Sequence, residues 1–357
     1  SRVGDLKSAL VVVDECHRIG SISYSEICEW GPGKILGLSA TPERYGDSEG
    51  TARMYSLCGE VVHEFSLSDA LNHDPPYLTP YIYNIEKVSL TNEHDRCEDT
   101  ECKECETDDY DQRMTSISWQ LNMYRKKDGR VNFKELPPGL RTAIIQAKRI
   151  IKKANMKIAA CTKVISENYN QKKKEHWLVY CEDGSQLSSV KESLEKSGIG
   201  PLYEYWTGAE GAEFDSSKKK EAFAREETLN LWEITGGVMI SIQCLDEGVD
   251  IPCITHGIIL ASSNNPRQFI QRRGRLLRLY EGKNFARIWD TLVVPSSESG
   301  GEHTNYVLNE INRASEFAKD ATGGSAAAEL TNIRYDLGLT DSFSTGEIYD
   351  GSEEGDE

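Results

Sequence analysis

Two short apolar runs near the start of the chain each stop abruptly at polar residues. Ala9–Val13 is five aliphatic residues in succession and runs into Asp14-Glu15-Cys16-His17; Lys34–Leu38 runs into Ser39-Ala40-Thr41-Pro42. Unbroken apolar runs of this length suit strands covered on both faces of a parallel sheet. The pattern returns after residue 171, with strands expected at Trp177–Cys181, Gly237–Ile242, Gly257–Ala261 and Ala286–Val294. Helices are expected between them at Gln186–Ser197, Ser216–Glu226 and Pro266–Leu279, the last opened by Asn265 as cap and proline at its first position.

A different period joins the two parts. From Leu140 to about Glu167, Ile144, Ala147, Ile151, Ala154, Ile158, Cys161 and Ile165 recur every three or four residues, predicting one continuous amphipathic helix. Its other faces carry Lys148, Arg149, Lys152, Lys153 and Lys157. A further helix is expected at Tyr306–Ala318, followed by Gly323-Gly324-Ser325 and an acidic tail too poor in apolar residues to order itself. These patterns predict an α/β protein in four pieces: 1–90, 91–170, 171–300 and 301–357.

Charge changes the picture only once it is located. The net charge is −17, but residues 93–111 contribute −8 and 341–357 contribute −7, whereas 141–174 carry +9. The acid sits in an insert and a tail, so the bulk charge does not exclude nucleic acid as a partner. No apolar run approaches the ~20 residues of a membrane span, and ten scattered cysteines favour a reducing cytoplasm.

The chemistry lies at strand ends, where open α/β sheets bind ligands. Asp14 offers a carboxylate to hydrated magnesium, and Glu15 beside it can orient and deprotonate a water. The hydroxyls of Ser39 and Thr41 can hydrogen-bond the neighbouring Asp14 turn and relay its state. On a helix over 266–279, Gln271, Arg275 and Arg278 share one face at i, i+4 and i+7. An arginine aimed at a transferring phosphoryl group is worth roughly 10³–10⁵ in rate. Upstream, Gly248-Val249-Asp250-Ile251-Pro252 can place Asp250 near a ribose or a bridging water.

The order DECH, SATP, DEGVDIP, QRRGRLLR resembles the superfamily 2 helicases and translocases, nearest to their XPB-like and restriction-enzyme Res-subunit group. The resemblance covers roughly 1–90 and 171–320. It implies two RecA-like parallel-sheet domains that close over ATP and step along nucleic acid, DNA in preference to RNA. By that resemblance Asp14 holds magnesium, Glu15 activates water, and His17 couples the site to the second domain. Ser39 and Thr41 link hydrolysis to movement, Gly248 and Asp250 line the nucleotide path, and Gln271, Arg275 and Arg278 close over the γ-phosphate. Nuclease, repair or restriction subunits are the partners it implies.

One family element is missing. No Gly-rich loop ending in Lys-Ser/Thr occurs; Gly31-Pro32-Gly33-Lys34 leads into a strand, and only 13 residues precede Asp14. The expectation is a first domain cut short, and a chain that alone binds ATP poorly and does not hydrolyse it.

Two further features stand apart. His94, Cys97, Cys102 and Cys105, spaced H-x2-C-x4-C-x2-C, offer four zinc ligands, against the alternative of reduced cysteines in a loop. Lys148, Lys152, Lys153 and Arg267 are candidates for phosphate contacts, against a merely solvated basic face. Trp177, Trp206, Trp232 and Trp289 read as core. The competing function is a non-catalytic nucleic-acid-binding or regulatory module with a zinc-stabilised insertion.

Overall fold

The computed structural model describes residues 9–21, 33–42, 48–91, 105–125, 131, 133–205, 216–242, 251–261, 274–294 and 302–338. In chain order the elements are β1 (Leu10–Val13), a 3-10 turn (Cys16–Gly20), β2 (Lys34–Gly37), α1 (Ser48–Cys58), α2 (Leu67–Asn72), β3 (Tyr81–Val88) and α3 (Glu106–Leu121). Then follow α4 (Pro138–Lys152), α5 (Asn155–Asn168), β4 (His176–Cys181), α6 (Gly184–Lys196), β5 (Leu202–Tyr205), α7 (Ser216–Thr235), β6 (Gly237–Ile242), β7 (His256–Ile259) and β8 (Ala286–Val293). Two helices close the described chain, α8 (Glu302–Ala318) and α9 (Ala326–Asp336). No helix among the described residues is long and apolar enough to cross a membrane.

The strands form two parallel sheets, as the α/β pattern required. β1 pairs with β2, Leu10 opposite Lys34 and Val13 opposite Gly37. The other six are ordered β3-β8-β7-β4-β6-β5. Every residue of β4 is buried. One side of this sheet packs Tyr81, Tyr83, Leu178, Tyr180 and Ile288 against Ile311, Phe317, Leu330 and Ile333 of α8 and α9. The other packs Trp177, Val179, Val238 and Ile258 against Val164 and Ile165 of α5 and Leu187, Val190 and Leu194 of α6. Burying aliphatic side chains of this size contributes about 1.5–3 kcal/mol each, which is why the covered central strands are mostly apolar.

Five sequence expectations are corrected. Strand β3 lies within the 1–90 piece, yet it hydrogen-bonds β8 along its whole length and so belongs to the larger sheet. Strand β5 is an edge strand that the apolar pattern did not mark. The two-stranded sheet is not covered on both faces: Leu10 and Val12 are 59% and 54% exposed, while Val11 and Val13 are half-buried.

The continuous helix breaks between Lys152 and Asn155. Ala154 takes φ −46 and ψ 129, outside the helical region. Glu106 of α3 then accepts the Asn155 N–H at 2.9 Å, satisfying an otherwise orphaned donor at the start of α5. The break lets one apolar stripe serve two cores. Leu140, Ile144, Ala147 and Ile151 pack with Tyr110, Ile117 and Leu121 of α3, while Cys161, Val164 and Ile165 pack under the sheet.

Finally, order does not stop at the glycines after α8, because α9 buries Ala326, Leu330 and Ile333. The Gly323–Ser325 turn lies along the edge of β3: Tyr83 N–H donates to Gly323 O at 2.9 Å and Ser325 N–H to Asn84 Oδ1 at 3.1 Å. Gly324 has φ +116, and a side chain there would meet Tyr83 O at 2.0 Å, so glycine is required. The acidic residues 341–357 lie outside the described residues.

Candidate functional site

The parallel pairing of β1 and β2 brings both polar turns to one carboxyl edge. Leu38 N–H donates to Val13 O and Cys16 N–H to Leu38 O, each at 2.9 Å, so the ends of the strands are stitched together. Asp14 is exposed, and its Oδ1 accepts the Glu15 N–H at 3.0 Å. Glu15 adopts φ 51, ψ 48, the left-handed region, which few residues with a side chain occupy. It is the one non-glycine with positive φ among the described residues. Such backbone strain costs on the order of 1–3 kcal/mol and gathers at functional sites.

His17 is the hub of this turn. Its ring is 1% exposed, and Nδ1 lies 3.0 Å from Ser39 Oγ and 3.2 Å from Glu15 Oε2. Ser39 Oγ in turn accepts the Thr41 N–H at 3.1 Å. The Asp14–His17 turn and the Ser39–Thr41 turn are therefore one hydrogen-bonded unit. Three contacts in series, at 3.2, 3.0 and 3.1 Å, connect the Glu15 carboxylate to Thr41.

The arginine segment is described only from residue 274. Gln271, Arg267, Gly248 and Asp250 lie outside the described residues. Arg275 is half-buried in the last helical turn, which ends at Leu276. Arg278 lies beyond it, in an antiparallel bridge with Leu78. The expected helix to Leu279 is thus too long, and the i+7 relation that put Arg278 on one face with Gln271 does not hold there. The bridge replaces the helix because Thr79 N–H donates to Leu277 O at 2.7 Å and Thr79 Oγ1 to Arg278 O at 3.0 Å.

Two lysines that the sequence did not single out organise the sheet edges around this segment. Lys283 is buried, and its Nζ donates to Leu276 O at 2.7 Å, Arg278 O at 3.0 Å and Pro252 O at 3.3 Å. It ties the end of the arginine segment to the turn that follows Asp250. Lys157, expected on a solvated face, is also buried and donates to Leu260 O at 2.6 Å, where β7 leaves the sheet. Burial lowers both ammonium groups to about 8. Nearby, Arg313 donates to Asp290 Oδ2 at 2.7 Å and Glu310 Oε2 at 2.9 Å, and the Tyr83 hydroxyl donates to Asp290 Oδ2 at 2.9 Å. No sequence pattern marks these groups, because their partners are backbone carbonyls or residues up to 207 positions away.

Of the phosphate-contact candidates, two are already engaged. Lys152 Nζ lies 3.5 Å from Glu182 Oε2, and Lys153 Nζ donates to Asp183 Oδ2 at 2.7 Å and Ser185 Oγ at 2.6 Å. They pin α4 to the turn after β4. Lys148 is half-buried on α4. Trp177, Trp232 and Trp289 are buried, as a core reading requires; Trp206 lies outside the described residues. Of the zinc candidates only Cys105 is described, buried at the start of α3, and no group of metal-ligating residues occurs among the described residues.

The carboxyl edge of this parallel sheet, with its acid-bearing turn, is the kind of edge where open α/β sheets bind ligands. The family model for the helicase conserved C-terminal domain matches residues 156–280, and that for the type III restriction enzyme, res subunit, matches residues 2–44. These two matched segments contain the motifs that resemble the superfamily 2 helicases and translocases of the XPB-like and Res-subunit group. Among relatives, the chain is 26% identical over 274 residues to the DNA 3'-5' translocase XPB2 of Sulfurisphaera tokodaii, covering 76% of this chain and 56% of that protein. The chain thus spans about half the length of that relative.

Solved structures are more distant. The Hef helicase domain of Pyrococcus furiosus matches at TM-score 0.49 and 14% identity, over 86% of this chain and 74% of that one. A fragment of a putative HsdR subunit of a type I restriction enzyme from Vibrio vulnificus matches at TM-score 0.44 and 18% identity, over 80% and 48%.

Proposed function

We propose that this chain is part of an ATP-driven DNA translocase, spanning its acidic motif and its second motor domain. The observation that carries this reading is the Glu15–His17–Ser39 unit, which links the residue that would activate water to the turn that would report hydrolysis. DNA is favoured over RNA because the relative at 26% identity is named a DNA translocase.

The residues fit a magnesium nucleotide. Asp14 presents an exposed carboxylate, an oxygen donor of the kind hard cations prefer. When bound, the metal would neutralise phosphate charge. Glu15 accepts a proton from the attacking water, from a left-handed backbone position at the end of β1. His17 Nδ1 holds one Glu15 oxygen and the Ser39 hydroxyl in register. Arg275 and Arg278 supply positive charge to the leaving phosphate. Lys283 positions that segment by gripping its carbonyls.

A Gly-rich loop ending in Lys-Ser/Thr is not in these 357 residues, so the chain by itself lacks the lysine and amides that cradle β- and γ-phosphates. The purified chain is expected to hydrolyse ATP no faster than buffer, with or without DNA. Turnover that disappears in Glu15→Gln contradicts this.

A further inference from the structure

The cysteine inside the acidic turn has a partner. Cys16 stands between Glu15 and His17, and its thiol is hydrogen-bonded to that of Cys58, the last residue of α1. Both sulfurs fill a notch above Gly37: a side-chain carbon there would lie 2.8 Å from Cys16 Sγ and 3.1 Å from Cys58 Sγ. Met54 Sδ closes the pocket at 3.8 Å from Cys16 Sγ. The two backbones are fixed independently, Cys16 by its N–H to Leu38 O and the end of α1 by Gly59 N–H to Tyr55 O, both at 2.9 Å.

Reactivity differs between the two. Cys16 is 4% exposed, whereas Cys58 is half-buried and reachable. Cys161 and Cys181 also lie close enough to interact but are both buried. They provide a comparison pair sealed from small reagents.

We propose that Cys16 and Cys58 are a thiol modification site, converted by a low-molecular-weight disulfide such as oxidised glutathione into an internal disulfide that locks the Asp14–His17 turn to α1. The Cys58 thiolate attacks one glutathione sulfur, forming a mixed disulfide and releasing one glutathione thiolate. The Cys16 thiolate then attacks the Cys58 sulfur and displaces the second. The two protein protons end on the two glutathione thiolates, so two protein thiols are oxidised and one glutathione disulfide is reduced. Any effect on ATP turnover rests on the proposed role of Glu15; the disulfide itself does not.

The test incubates the full chain with oxidised glutathione, blocks remaining thiols, digests without reduction and maps the peptides by mass. The expected product links the Cys16 and Cys58 peptides, disappears on reduction with dithiothreitol, and forms before any Cys161–Cys181 link. Amide exchange over residues 15–20 should slow by about tenfold on oxidation and recover on reduction. Cys58→Ser should leave Cys16 unmodified at the same exposure; if that variant fails to fold, the wild-type map decides alone. A stable glutathione adduct on Cys58 with Cys16 still reduced overturns the proposal. So does a link from Cys16 to another cysteine, or unchanged exchange after the bond forms. Failure of hydrolysis in any longer polypeptide would count against the functional reading and leave this map intact.

Discussion

The two parallel sheets differ in how they are covered. In the six-stranded sheet β4 is buried at all six positions, with helices packed on both faces. In the two-stranded sheet the outward residues Leu10, Val12 and Leu36 are exposed, and Cys16, Ile19 and Met54 form the small buried cluster beneath. A parallel sheet is ordinarily sandwiched. Among the described residues, the acidic and hydroxyl motifs that define the chemistry therefore stand on the less covered of the two sheets. Recognisable chemistry and structural self-sufficiency are separate properties of a sequence.

Mutations across the two sheets test that contrast directly. Trp177 is fully buried, stacked 4.2 Å from the His256 ring and 5.4 Å from Trp289. Trp177→Ala should cost about 3–5 kcal/mol in urea unfolding of the large sheet. Val12→Ala, on the exposed face, should change stability by no more than about 0.5 kcal/mol. A Val12→Ala loss comparable with that of Trp177→Ala would mean the outward face is covered after all.

A second, smaller effect distinguishes the sheets by pH. Lys157 and Lys283 titrate near 8 in the folded chain against an ordinary value of 10.5, because burial disfavours their charge. Between those values the unfolded chain binds more protons than the folded one, so stability should rise as pH increases from about 8 to about 10.5. Below about 8 both states are protonated and this gain is absent. Urea midpoints across that window should rise for the wild type and rise less in Lys157→Met. An identical slope in the variant would remove Lys157 from the account.

Much of this architecture was legible in the sequence, for a physical reason. Trp177–Cys181, Gly237–Ile242 and Ala286–Val294 read as strands because full burial favours apolar residues. The Asp14 and Ser39 turns were legible because chemistry needs particular functional groups at strand ends. What escaped depends on distant partners. β3 alternates Tyr81, Tyr83 and Ile85 toward one core, but its pairing with β8 joins segments about 200 residues apart. The corner at Ala154 carries no glycine or proline and keeps the helical period, since both arms bury the same stripe against different cores. Helix α9 was hidden by its neighbours: Gly323-Gly324 looked like a breaker, yet Gly324 is what lets the chain approach Tyr83. Lys157 and Lys283 were unreadable because carbonyl oxygens, their partners, leave no trace in a sequence.

The most direct measurement joins this chain to a segment that supplies a Gly-rich Lys-Thr phosphate loop and follows DNA-stimulated ATP hydrolysis. With Glu15 as the water-activating base, Glu15→Gln should lower turnover by about 10²–10⁴ while DNA affinity stays unchanged. Hydrolysis by Glu15→Gln at the wild-type rate would contradict the account.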